Sequence, residues 1–165
     1  HMYRKLLAAA ATTGLTLTGL AAAVPAHAGD SVPPLGTTAH MDNFDVTVHS
    51  FENIDNADMA HVTVCAKNVA PGETVRVSWD AWSVRDAEGD EYEAGIVNGG
   101  STKADYPYGN AEAPSADEGH SDERQLADGE CATGRIAFKP AQDIDPTTVQ
   151  YESSLGDFAE WRLWH

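Results

Sequence analysis

The segment HVTVCAKN (61–68) alternates one for one: Val62, Val64 and Ala66 are apolar, with His61, Thr63 and Cys65 between them. A period of two marks a β-strand with one buried face, because successive side chains leave a strand on opposite sides. The same period spreads outward. Upstream, Phe44, Val46 and Val48 alternate with Asp45, Thr47 and His49. Downstream, Val75, Val77 and Trp79 alternate with Arg76 and Ser78, and Tyr92, Ala94 and Ile96 with Glu91, Glu93 and Gly95. Ile136 and Phe138, then Val149 and Tyr151, then Trp161 and Leu163 behind Phe158, repeat it. Trp82 and Val84 fall on the parity opposite to Val75, Val77 and Trp79, which requires a bulge or bend near Asp80-Ala81. Turn residues separate these runs: Glu52 to Asn56, Ala70-Pro71-Gly72, Asp86 to Gly89, Ala127-Asp128-Gly129 and Asp145-Pro146. No stretch keeps a 3.6-residue period. Seven or eight short antiparallel strands, each with one apolar face, bury those faces by stacking as an all-β sandwich. Trp79, Trp82 and Trp161 are expected in its core.

The chain has 165 residues, 42% of them hydrophobic, with a mean hydropathy of −0.37, which suits one packed domain and not a disordered chain. Ten Lys and Arg stand against 26 Asp and Glu, a formal charge of −16. A surface this negative repels a phosphate backbone and an anionic membrane, so nucleic acid is excluded as a partner. Residues 3–28, YRKLLAAAATTGLTLTGLAAAVPAHA, carry Arg4 and Lys5, an acid-free apolar run to Val24, and the small-x-small site Ala26-His27-Ala28. That order is the pattern of a secretory signal peptide, assigned to residues 1–28, with His1 before Met2 reading as a cloning remnant. A membrane anchor is the rival, weakened by the Thr and Gly in the run and by the cleavage site behind it. Cleavage leaves 8 basic and 26 acidic residues, a formal charge of −18, and no segment for membrane insertion. GDSVPPLGTTAH (29–40) reads as a flexible N-terminal arm, and 41–165 as the sandwich domain.

Cys65 and Cys131 are the only cysteines. An even count in an exported chain points to a disulfide, with two free thiols as the alternative. Cys65 is out of phase with Val62 and Val64, and Cys131 with Ile136 and Phe138. Both sulfurs are therefore expected on the solvent side of one sheet, joining neighbouring strands, unlike the buried inter-sheet bridge of antibody domains. Val97–Gln125 breaks the alternation and is rich in acids, Gly and Pro. A long loop of this composition is disordered or functional, and composition favours disorder. The functional reading rests on Tyr106-Pro107-Tyr108, a proline-held aromatic pair able to anchor a partner.

HVTVCAKN (61–68), VSWDAWSVRDAEGDEY (77–92), LADGECATGRIAFKP (126–140) and DPTTVQYESSLGDFAEWRL (145–163) together resemble a secreted immunoglobulin-like family. That family includes actinobacterial domains of unknown function and the mycobacterial immunogenic secreted antigens. Asn68, Asp86, Gly89, Tyr92, Leu126, Gly129, Gly134, Phe138 and Tyr151 carry the resemblance. It implies an immunoglobulin-like sandwich outside the cell and assigns no catalytic residue. The acidic insertion after Ile96 and the two cysteines depart from the family pattern.

Asp86, Glu88 and Asp90 alternate beside Gly89, a spacing that can hold Ca²⁺ weakly, although without the loop of an EF-hand; a plain hairpin turn accounts for it as well. His49 and His61 share outward parity on successive strands and would face each other across a pair, a geometry open to a metal. Trp164, off-phase at the terminus, is the tryptophan left for a binding face. No G-x-S-x-G elbow, H-E-x-x-H pair or blue-copper ligand set occurs, so no enzyme is expected and no cofactor beyond weak Ca²⁺. The expected function is a secreted, non-enzymatic module binding an extracellular protein or small ligand. The alternatives are a divalent-cation-responsive acidic protein, or an inhibitor of a secreted enzyme acting through loop 97–125.

Overall fold

A computed structural model describes residues 31–54, 57–95, 104–109, 123–138 and 145–163. The expected signal peptide, Trp164 and most of loop 97–125 lie outside them. Among the described residues ten strands run in chain order: β1 (Thr38–His40), β2 (Phe44–Ile54), β3 (Ala57–Ala66), β4 (Val75–Ser78), β5 (Trp82–Asp86), β6 (Glu91–Glu93), β7 (Glu123–Leu126), β8 (Cys131–Phe138), β9 (Pro146–Glu152) and β10 (Phe158–Arg162). They form a sheet of order β1-β2-β3-β8, a second of order β10-β9-β5-β6, and a two-stranded ribbon of β4 and β7. Every pairing between these strands is antiparallel.

The two large sheets bury the faces that alternation marks. Phe44, Val46, Val48, Val62 and Val64 of one sheet share a core with Trp82, Val84, Val149, Tyr151 and Trp161 of the other. The Phe44 ring meets Tyr151 edge-on at 6.1 Å. Trp82 sits at the centre, with its ring 4.9 Å from Tyr151 and 6.2 Å from Trp161. The expected bend is present as a single 3₁₀ turn, Trp79–Ala81, which carries the chain from β4 into β5 of the second sheet. Trp79 belongs to that turn, where strand parity no longer applies, and is only partly buried rather than a core residue. Phe158 is 53% exposed, because its neighbour Ala159 takes the inward face together with Trp161.

Cys65 and Cys131 lie directly opposite each other on β3 and β8 and are bonded, with Cα atoms 4.0 Å apart. Both are out of the core, so the bridge staples neighbouring strands on the solvent side, as parity requires. The expected flexible arm is different in the structure. Thr38–His40 pair with β2, the Arg162 N–H donates to Pro33 O, and the Trp161 Nε1–H donates to Thr37 O at 2.8 Å. The arm therefore ties to both large sheets. Pro33 and Pro34 suit that place, since an edge tolerates a residue without an N–H.

The 104–109 segment lies along the free edge of β8. Asp105 and Tyr106 N–H both donate to Arg135 O, and Arg135 N–H donates to Asp105 Oδ1 at 2.6 Å. Covering an edge in this way removes a template for unwanted strand pairing. Gly134 permits the contact: a Cβ there would lie 2.7 Å from Tyr106 N and Cα. Gly134→Ala is expected to cost about 2 kcal/mol through overpacking. It should also raise amide exchange at Asp105 and Tyr106, and unchanged protection of those two amides would refute the docking.

Candidate functional site

Where β4 turns through the 3₁₀ segment into β5, the chain leaves a cleft of about 320 Å³ against the ends of β6 and β9. Each wall follows from the local sequence. The bend turns Asp80 to the rim, β6 alternation sets Glu91 and Glu93 on one face, and β9 delivers Tyr151 and Glu152. Trp82 and Tyr151 line it from beneath, both buried. Ser78, Ser83 and Ser153 add hydroxyl or backbone donors, and Arg76 is the basic residue of the lining. Arg76 is already engaged: its Nη1 donates to Glu123 Oε2 at 2.6 Å and its Nη2 to Asp80 Oδ2 at 3.5 Å. Those two carboxylates, Glu123 first, hold the guanidinium above its ordinary value. The cleft is thus an aromatic base under four carboxylates, Asp80, Glu91, Glu93 and Glu152, which favours a cationic guest.

Behind the cleft lie Tyr106 and Pro107, both buried. The Tyr106 ring meets Trp82 edge-on at 6.2 Å. Tyr106 was expected to be offered to a partner; it is instead a core residue, because Gly134 opens a groove into which its backbone fits and Trp82 supplies an aromatic wall. Tyr108 is half-buried and its hydroxyl donates to Glu123 O at 2.8 Å, so it ties the segment to β7. Trp82 Nε1 and Tyr106 Oη are buried close together, near enough for the indole to favour the phenolate, yet no hydrogen bond of good geometry joins them.

Burial holds the hydroxyls of Tyr106 and Tyr151 far above the ordinary tyrosine value; Asp80 adds to this at Tyr106, and Tyr106 and Asp157 add to it at Tyr151. Unfolded tyrosine ionises near pH 10. Above that pH the unfolded chain binds fewer protons than the folded one, so stability falls as pH rises. Each of the two residues contributes a slope of up to about 1.4 kcal/mol per pH unit. Tyrosinate absorbance should therefore show two phenols that ionise only together with the loss of β circular dichroism. Ionisation of all tyrosines before unfolding would contradict their placement.

The Asp86 carboxylate is turned back onto its own hairpin. Its Oδ1 accepts the N–H groups of Glu88 (3.1 Å) and Asp90 (2.9 Å), and Gly89 adopts φ 92° to close the turn. Among the described residues, no three His, Cys, Asp or Glu side chains gather as a metal-binding group. Asp86, Glu88 and Asp90 thus lie on a tight hairpin turn whose backbone amides engage one Asp86 oxygen. His49 and His61 do face each other, with ring centroids 5.1 Å apart. The cleft leaves no mark in the sequence: its residues come from three separate segments, 76–83, 91–93 and 151–154, and acids are too common in this chain for any group of them to stand out.

No protein-family model matches the sequence, and no curated protein does. Two solved structures are similar in fold. The yjhA protein from Bacillus subtilis is 12% identical, with a TM-score of 0.55, over 81% of this chain and 100% of that one. MPT63, a secreted protein from Mycobacterium tuberculosis, is 17% identical, with a TM-score of 0.52, over 81% and 99%. The likeness to a mycobacterial secreted protein thus holds at the level of the fold.

Proposed function

We propose that the protein is a secreted, non-enzymatic binding module whose cleft beside the Trp79–Ala81 turn takes a basic segment of an extracellular partner. The observation that carries this reading is the convergence of Asp80, Glu91, Glu93 and Glu152 over the buried pair Trp82 and Tyr151. Carboxylates around a concave, low-dielectric base focus potential and draw a cation in, while the aromatic floor suits the face of a guanidinium. The exposed disulfide and the fold shared with secreted MPT63 support an extracellular place of work. The long acidic charge surplus supports fast, salt-dependent capture of a basic partner.

An arginine-containing peptide is the probe. Amide shift changes are expected first at Asp80, Ser83, Glu93 and Ser153, and Glu91→Gln with Glu93→Gln should weaken binding about tenfold. Shifts spread evenly over the acidic surface, with no loss in the double variant, would defeat the reading.

A further inference from the structure

On the outer face of the β1-β2-β3-β8 sheet, away from the cleft, the register breaks once. Val48 pairs with Val62, but Ser50 pairs with His61, so His49 is the extra residue of a β-bulge. A bulge re-aims a side chain, and this one brings the His49 ring against that of His61. His49 is exposed and His61 half-buried.

The protons around His49 can be assigned by following a chain of hydrogen bonds. The Thr133 hydroxyl donates to Val62 O at 2.9 Å, which uses its only proton. Thr63 and Thr133 hydroxyls are 3.1 Å apart, so Thr63 must donate to Thr133. Thr63 Oγ1 then has no proton left for His49 Nε2, 2.9 Å away, and accepts from it. His49 is therefore the Nε2–H tautomer, with the lone pair on Nδ1.

We propose that His49, through Nδ1, and His61 chelate one imidazole-preferring divalent ion of the Cu²⁺ or Zn²⁺ class. The spacing fits. A ligating imidazole nitrogen lies about 2.1 Å from such an ion, which sets two rings meeting at cis or tetrahedral angles about 4.5 to 5.2 Å apart at their centres. The observed separation is 5.1 Å. Thr63 supplies the outer hydrogen bond that orients a metal-bound histidine and fixes its tautomer. Two protein ligands leave the other positions to water or to a donor from a partner. Arg135, opposite His61 on β8, opposes the charge and keeps the site modest in affinity.

The test starts without metal. Nitrogen-15 spectra of the imidazoles should show the Nε2–H tautomer at His49; an Nδ1–H ring would overturn the assignment. Zn²⁺ and Cu²⁺ are then titrated separately into the full chain. His49 and His61 should respond first, and His49→Ala and His61→Ala should each weaken binding at least about tenfold. The double variant should be no worse than either single one, and His40→Ala should bind as the parent does. Thr63→Val should weaken binding and let both His49 tautomers appear. Unchanged affinity in His49→Ala or His61→Ala would overturn the site, whatever happens at the cleft.

Discussion

Removing the Cys65–Cys131 bridge, by reductant or by the paired change Cys65→Ala with Cys131→Ala, will lower the unfolding free energy by about 4 kcal/mol. The bridge spans 66 positions, and closing a loop of that length removes a large share of the unfolded chain's freedom. The native contacts change little, because β3 and β8 stay paired through eight registered positions from Asp58↔Phe138 to Cys65↔Cys131. The denaturant midpoint should therefore fall while the folded-state spectrum is preserved. A shift below 1 kcal/mol would mean that the reduced unfolded chain keeps β3 and β8 together. Domains of this size hold a total stability of about 5 to 15 kcal/mol, so the loss is a large fraction of the whole.

Trp82→Ala will cost about 3 to 5 kcal/mol. The indole is 1% exposed and touches the rings of Tyr106, Tyr151 and Trp161. Alanine leaves a cavity between the sheets that these rings cannot close, since Trp161 is held by its bond to Thr37 O and Tyr106 by the β8 edge. The same substitution removes the base of the cleft, so peptide binding should fall even where the variant still folds. Trp79→Ala, at the partly buried 3₁₀ turn, is the comparison and should cost less than half as much. Equal losses at the two positions, measured by urea unfolding, would show that Trp82 is not the centre of the core.

The strands were legible because each carries its own period. Phe44 to Val48 and Val62 to Ala66 need no partner to declare which face is buried, and cysteine parity then placed the bridge. The acidic stretch hid β7: in Glu123–Leu126 only Leu126 is apolar, and its pairing with Val75 of β4 decides its burial. Tyr106 was misplaced for a related reason. An aromatic in a polar loop reads as exposed until a glycine on a distant strand makes room for it. The bulge had a trace in the sequence, the three-residue step from Val48 to Phe51, both of which pack on the inner face. The cleft had none, since it exists only where β4, β5, β6 and β9 meet.

The segment at Pro33–His40 sets the order in which the fold can finish. It reaches β2 a few residues away, but its other attachments, Arg162 to Pro33 and Trp161 to Thr37, join positions more than a hundred residues apart. A polypeptide delivered first residue leading, from a ribosome or through a pore, holds this strap half-fastened until its last strand emerges. Every shortened or stalled product ending before Trp161 must then lack both of these attachments, and leaves one side of the sandwich unlatched.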